Sequence, residues 1–421
     1  MTFNNTIEYA REQDRKDDLR KFRTLFVAGD PDTIYMDGNS LGRMPKATVQ
    51  LISGLSEQWS GDLIGGWKNG WFELSQRVGE KIAKLIGAGP GEVIVADSTS
   101  INLFKLVITA LQANPEKKVI VSDELNFPSD LHALQGAIEL LGGKHRLRIM
   151  RSQDGVAVSD VELEKAIKPD VGLISLSQTA FKSGFTYDMA KVTRMAHKAG
   201  ALILWDLSHS VGAIPIELNK SKADLAVGST YKYLNGGPGS PAFLYIRKDL
   251  QKKLHNPLTG WFGQKDQFKF SIEHEPAKGI TQFLTGTPPI FSMAPVETGV
   301  DISLKAGIEK IRNKSVKQTS YFIELSRELL FPLGVSLNSP EDAELRGSHV
   351  SLGHPEGYSI DRALIKEMKV IPDFRHPNNI RFGIAPLYTS YEDIYHAVTR
   401  TRTVLTKKLY KKYAKTITGV T

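Results

Sequence analysis

Between residues 92 and 228 the chain repeats one pattern: a short run of Val, Ile and Leu, a polar turn, then apolar residues at helical spacing. Strands are predicted over 92–96, 118–122, 145–150, 171–176, 201–205 and 224–228, with helices over 71–86, 101–111, 129–141, 160–167 and 188–199. Strands that are apolar throughout are buried on both faces, and helical crossovers join parallel neighbours. The expected fold class is therefore α/β, a mostly parallel sheet covered on both sides.

Outside this block, a short strand over 33–36 leads into Asp37-Gly38-Asn39-Ser40-Leu41-Gly42, and a helix starts at Pro45. From about Pro295 the character changes. Amphipathic helices over 296–312 and 317–330 lead to short strands near Val335, His349 and Ile380, then to a closing helix from Tyr391. The 421 residues divide on this reading into an N-terminal segment 1–44, a large domain 45–294 and a small α+β domain 295–421. The Pro/Gly-rich piece Thr285-Gly286-Thr287-Pro288-Pro289 stands out as a functional loop near the junction.

Composition removes several classes of function. With 41% hydrophobic and 24% charged residues and no apolar run of about 18, the chain is expected to be a globular protein without a membrane span. Its charged start, residues 1–23, lacks the apolar core of a secretory signal, which places it in the cytoplasm. The absence of cysteine excludes disulfides, thiolate metal sites and a cysteine nucleophile. None of the 10 histidines stands in an H-E-x-x-H motif, so no metal site is expected. The net charge of +8 is spread along the chain without interleaved aromatics, so no nucleic-acid partner is expected; the basic run Lys407-Lys408-Leu409-Tyr410-Lys411-Lys412 reads as a solvated helical face. Gly38-Asn39-Ser40-Leu41-Gly42 matches G-x-S-x-G, but it precedes the strands and the oxyanion loop that a hydrolase elbow requires.

In open parallel sheets ligands gather beyond the carboxyl ends of the strands, where residues 98–100, 126–130, 206–209 and 229–232 form polar clusters. Asp206 closes the apolar run Ala201-Leu202-Ile203-Leu204-Trp205, and Lys232 follows the strand 224–228. Pyridoxal phosphate chemistry needs such a pair: an amine to hold the aldehyde and an anion to keep the ring nitrogen protonated. Each member also has a plain structural reading, Lys232 as a surface lysine and Asp206 as the partner of an arginine; their joint position favours the cofactor. Ser98-Thr99-Ser100 opens a helix, where hydroxyls and N–H groups form a phosphate cup or simply an N-cap. Phe127 could stack on a flat ring or merely pack.

On Asp37 to Gly42, Phe127 to Asp130, Trp205 to Gly212, Ser229 to Gly237, Gly260-Trp261-Phe262-Gly263 and Pro377-Asn378-Asn379-Ile380-Arg381 with Pro386-Leu387-Tyr388, the sequence resembles kynureninase, a fold-type-I pyridoxal phosphate enzyme. The likeness runs from about Tyr35 to Tyr395. It implies Lys232 as the residue that holds the cofactor, Asp206 as the partner of its ring nitrogen, His209 near its phenolic oxygen and Phe127 as the stacking ring. Thr99, Ser100, Tyr231, Trp261 and Thr287 would surround the phosphate, with Asp130 and Ser177 also at the cofactor. Trp261 and Thr287 would arrive from the second subunit of a homodimer. Asn39, Ser40, Trp67 and Arg381 would contact the substrate, Arg381 as a bidentate clamp on its carboxylate or else a structural ion pair.

The implied reaction is hydrolysis of L-kynurenine to anthranilate and L-alanine, with Lys232 as base and Tyr231 as proton relay, in tryptophan catabolism or supply of nicotinamide precursors. Trp67 and Thr287 resemble the bacterial branch, which favours kynurenine over its 3-hydroxy derivative. The rival readings are a class-V aminotransferase and a non-catalytic ligand sensor; a cysteine desulfurase would need the cysteine this chain lacks.

Overall fold

A computed structural model describes residues 4–413. Residues 1–3 and 414–421, the outer ends of the expected N-terminal segment and small domain, lie outside the described residues. The chain opens with α1 (Ile7–Arg15), reaches β1 (Ile34–Tyr35), and passes through α2 (Lys46–Asp62) and α3 (Leu74–Leu85) into a large sheet. There follow β2 (Val93–Val95), α4 (Thr99–Ala113), β3 (Val119–Asp123), α5 (Pro128–Leu140), β4 (Arg146–Met150), α6 (Asp160–Ala166), β5 (Val171–Ser177), α7 (Met189–Lys198), β6 (Leu202–Asp206), β7 (Leu225–Gly228) and β8 (Phe243–Ile246).

These strands form a seven-stranded sheet of order β2-β8-β7-β6-β5-β3-β4. Neighbours from β4 to β7 pair in parallel, and β8 runs antiparallel to both β2 and β7. Every residue of β3, β5 and β7 is buried, which is why these strands read as unbroken apolar runs. The sequence reading ends the sheet at residues 224–228 and misses β8. Its four residues follow a Gly/Pro-rich stretch and are too few to show a period.

Beyond the sheet come α8 (Ile290–Ala306), α9 (Ile308–Leu329), β9 (Ser336–Leu337), β10 (His349–Gly353), α10 (Gly357–Met368), β11 (Val370–Ile371), β12 (Asp373–Arg375), β13 (Asn379–Gly383) and α11 (Tyr391–Thr406). The helices expected over 296–312 and 317–330 are cut elsewhere than predicted. Gly307, at φ +83°, takes a backbone conformation open to glycine and separates α8 from α9. Helix α8 is continuous through 294 and 295, and its Met293, Val296 and Val300 belong to the core under the large sheet. The basic run at 407–412 is likewise not on a helical face: α11 ends at Thr406, and Lys408 at φ 53° turns the chain into a single 3-10 turn. No helix among the described residues is long and apolar enough to cross a membrane.

The second sheet is antiparallel, of order β12-β13-β10-β9, over a core that includes Phe322, Phe382 and Ile394. The N-terminal segment joins both cores. Phe22 and Phe26 pack with the large one, Ala10 and Met36 with the small one, and β1 pairs in parallel with β11. That pairing sets the loop 37–42 against the small sheet and against the lysine loop, where Gly42 N–H donates to the Tyr231 carbonyl at 2.8 Å. A Cβ at Gly42 would fall 2.3 Å from the Lys232 carbonyl, so close backbone approach accounts for this glycine of the G-x-S-x-G run.

Candidate active site

The parallel register brings the carboxyl ends of β5 and β6 side by side, pairing Ser177 with Asp206. Lys232 arrives on the loop after β7, and its Nζ lies 3.0 Å from His209 Nε2. The Phe127 ring centroid is 5.9 Å and the Tyr231 ring centroid 5.8 Å from the same nitrogen. Burial pushes the Lys232 amine down to about 8, with Arg381 acting in the same direction and Asp206 and Asp130 opposing. His209 is held well below the ordinary histidine range, first by burial and then by the Lys232 charge, so its ring is neutral and can accept from the amine.

Asp206 is buried and anchored by the Ser208 N–H, which donates to its Oδ1 at 2.8 Å. Its neighbour Asp130, in the first turn of α5, is raised well above the carboxylate range by burial and by the charge of Asp206. Two carboxyls that share a desolvated site cannot both ionise, so Asp130 carries the proton. Ser177 Oγ donates to Asn126 Oδ1 at 2.7 Å and fixes the loop that leads to Phe127. Phe127 is 42% exposed, with its ring edge against Phe181 at 5.1 Å.

At the mouth of α4 the Ser98 hydroxyl caps the helix by accepting from Ile101 N–H, which leaves Thr99 and Ser100 on the first turn. Ser100 Oγ is 2.8 Å from Ser129 Oγ, so the starts of α4 and α5 meet. The capping reading and the phosphate-cup reading thus fall on different residues of the triplet.

Arg381 and Ser40 form a second cluster. Arg381 Nη2 donates to Ser40 Oγ at 2.8 Å, and Nη1 donates to the Phe181 carbonyl at 2.6 Å. Asn39 is fully buried beside them, its amide oxygen 2.9 Å from Arg381 Nε when the amide is oriented to accept. Since the Phe181 ring touches Phe127, the cluster adjoins the lysine site. Ser40 hydrogen-bonds to Asp373 and Arg381 and to no histidine, which is not the setting of a serine nucleophile.

Other expected residues lie apart from this cluster. Trp67 packs against Trp71 and Phe262, and Trp261 against Phe262, Phe268 and Phe270 on an exposed aromatic surface. Thr287 is exposed. Sequence reasoning missed Asp373, which accepts from Arg381 Nε at 2.8 Å and also from its Nη2, and Arg375, which pairs with the same carboxylate. The available signal was the turn Pro377-Asn378-Asn379, which folds β12 back on β13 and sets Asp373 opposite Arg381.

Several polar atoms at the first cluster are buried without a hydrogen-bonding partner among the described residues: Asp130 Oδ2, His209 Nδ1 and Ser229 Oγ. Orphaned polar groups cost free energy unless something satisfies them. An amine, a carboxylate, an aromatic face and a helix N-terminus are the donor set that a phosphorylated pyridine aldehyde requires, so these residues fit pyridoxal phosphate.

Comparison with known proteins agrees with the geometry. The chain is 41% identical over 403 residues to the kynureninase of Pseudomonas fluorescens, covering 94% of this chain and 95% of that one. It belongs to the kynureninase family. The kynureninase of Burkholderia pseudomallei is 40% identical over 414 residues, covering 96% and 97% of the two chains. The family model for the kynureninase C-terminal domain matches residues 311–401, the span that holds β9 to β13 and most of α11. In fold, this kynureninase-family chain is similar to a cysteine desulfurase from Thermococcus onnurineus NA1, with TM-score 0.78 and 19% identity over 97% of this chain and 99% of that one. It is equally similar, TM-score 0.78 and 17% identity over 91% and 99% of the chains, to a C-DES mutant solved with glycine covalently linked to its PLP cofactor.

Proposed function

We propose that the site around Lys232 uses pyridoxal 5′-phosphate to hydrolyse L-kynurenine to anthranilate and L-alanine. The observation that carries this reading is an amine brought down to about 8, facing a neutral imidazole and lying within the field of a buried carboxylate pair. When bound, the cofactor supplies an aldehyde for an amine to hold and an electron-poor ring that takes up charge from the substrate α-carbon.

The protein's own groups do the rest. Lys232 would hold the aldehyde, and its free amine, brought down to about 8, is a base of suitable strength for the substrate α-proton. Asp206, beside a protonated Asp130, would be the partner of the ring nitrogen; Phe127 would stack on the ring, and Ser177 steadies its loop. His209, beside Lys232, would face the phenolic oxygen. Thr99, Ser100 and Tyr231 would cradle the phosphate, and Tyr231, raised by burial and by Asp206, stays protonated and would relay a proton to the leaving fragment. Arg381, with Ser40 and Asn39, holds the substrate carboxylate.

We further infer a homodimer that shares its active sites, in which Trp261 and Thr287 complete the phosphate site of the partner. The exposed Ile64, Phe268 and Phe270 support such an interface, because apolar surface of this size on one chain favours burial against another. A cytoplasmic enzyme of tryptophan degradation or NAD precursor supply, preferring kynurenine to 3-hydroxykynurenine as Trp67 and Thr287 together suggest, fits the same reading, and Gly307 is the natural division between the large and small domains.

A yellow purified protein that converts L-kynurenine to fluorescent anthranilate, and a colourless, inactive Lys232→Ala variant, are the expected results. Formation of a keto acid in place of alanine would favour an aminotransferase, and cofactor binding without turnover would favour a sensor.

A further inference from the structure

Asp373 and Arg381 occupy directly paired positions on adjacent antiparallel strands, β12 and β13, and both are about 1% exposed. Arg381 has five N–H donors in a planar fork. Asp373 takes the side edge, accepting from Nε at 2.8 Å and from Nη2, with the Asn39 amide oxygen on the same edge, 2.9 Å from Nε. The remaining Nη2 hydrogen goes to Ser40 Oγ at 2.8 Å, and one Nη1 hydrogen goes to the Phe181 carbonyl at 2.6 Å. What is left for a carboxylate is the end-on edge: one Nη1 hydrogen, and the Nη2 hydrogen that Ser40 now shares.

Ser40 is fixed by the same acid, its hydroxyl donating to Asp373 Oδ2 at 3.0 Å. Arg375 also pairs with Asp373, so the carboxylate is flanked by two guanidinium groups. An unsupported arginine side chain would surrender rotamer entropy on each binding event and could turn its fork away from the substrate. One buried carboxylate therefore orients two groups that touch the substrate.

We propose that Asp373 is the positioning residue for carboxylate recognition: by filling the Nε edge of Arg381 and holding Ser40, it leaves a single end-on fork aimed at an α-carboxylate. The inference rests on the reading of Arg381 as the substrate clamp. It predicts that loss of Asp373 weakens only ligands that bring a carboxylate.

The test uses the holoenzyme of wild type, Asp373→Asn and Arg381→Gln. Asparagine keeps the shape but not the charge, and one of its two terminal atoms cannot accept from the fork. The expected outcome for Asp373→Asn is a KM for L-kynurenine raised about 10- to 100-fold with kcat within a few-fold and cofactor content unchanged, as for loss of a charge-assisted contact. The amine lacking the α-carboxylate should inhibit wild type and Asp373→Asn equally, a result that a general structural defect would not give. If Asp373→Asn does not fold, Asp373→Glu keeps the charge while displacing it by one methylene, and should raise KM selectively in the same way. If Arg381→Gln raises KM and neither Asp373 variant does, the positioning role is wrong; if Arg381→Gln leaves KM unchanged, the clamp itself is wrong.

Discussion

Lys232 Nζ sits 3.0 Å from His209 Nε2, and among the described residues no carboxylate lies within ion-pair distance of it. A lysine so placed has lost hydration without gaining a contact anion, which is why its amine is held at about 8 rather than at the usual lysine value. Only the neutral amine attacks an aldehyde. The rate at which apoprotein takes up pyridoxal phosphate should therefore rise with pH and level off above about 8, whereas an ordinary lysine would keep the rate climbing towards 10.5. Stopped-flow absorbance of cofactor loading between pH 6 and 10 measures it; an unbroken rise to pH 10 would reject the lowered basicity.

Tyr231 adjoins Lys232 in sequence and faces it in space, its ring centroid 5.8 Å from Nζ. Burial and the charge of Asp206 raise its hydroxyl above the ordinary tyrosine range, so it carries a proton throughout the working pH range. Tyr231→Phe should lower kcat on the order of 100-fold, the scale of one lost general-acid contribution. Cofactor content, read from visible absorbance, should change little. Equal turnover in the variant would take Tyr231 out of the mechanism, and loss of cofactor in proportion to activity would make it a binding group only.

The large sheet was legible in sequence because burial on both faces writes β3, β5, β6 and β7 as apolar runs, each followed by the polar residues that build the site. Lys232 and Asp206 could be picked out because they sit where such runs stop. Asp373 had only the turn Pro377-Asn378-Asn379 to point to it, since β12 is three residues long and its pattern Asp-Phe-Arg has no apolar signature. Its importance comes from cross-strand register, a tertiary fact. Of the two readings of Arg381, structural ion pair or substrate clamp, the structure shows the ion pair, made with Asp373 across the strands. Gly307 was missed for a similar reason, because amphipathic spacing continues on both sides of it and only its φ of +83° marks the break.

Asp361, in α10, is a buried carboxyl with neither oxygen hydrogen-bonded among the described residues. Burial and then Asp373 raise it to about 8, with Asp37 adding to the rise and Arg362 and Arg375 opposing it. The sign follows from proton counting. Between the ordinary value of 3.8 and about 8 the folded state binds the proton and the unfolded state does not, so this group's contribution to stability falls as pH rises through that window. Asp361→Asn removes the titration and keeps the shape. Near pH 5 the two proteins should melt within a few degrees of each other, and by pH 8.5 the variant should melt clearly higher; parallel Tm curves from pH 5 to 9 would show that Asp361 ionises freely in the fold.

Trp261 is 43% exposed within a surface cluster of aromatic rings, and Thr287 is exposed on the loop that begins at Thr285. That loop is held to the turn that opens α4 by Asp97, whose Oδ1 accepts from Thr285 Oγ at 3.1 Å and whose Oδ2 pairs with the fully buried Lys105 at 2.7 Å. A rigidly mounted but outward-facing threonine is suited to serve a neighbouring subunit. Lys232→Ala and Thr287→Ala should each be poorly active alone, the second through weakened cofactor binding. In a hybrid of the two, one site would carry both defects and the other would be intact, so random reassortment should restore about one quarter of wild-type activity, as expected for a twofold-symmetric dimer with shared sites. If Thr287 served its own subunit, every hybrid site would still hold one defect and mixing would restore nothing.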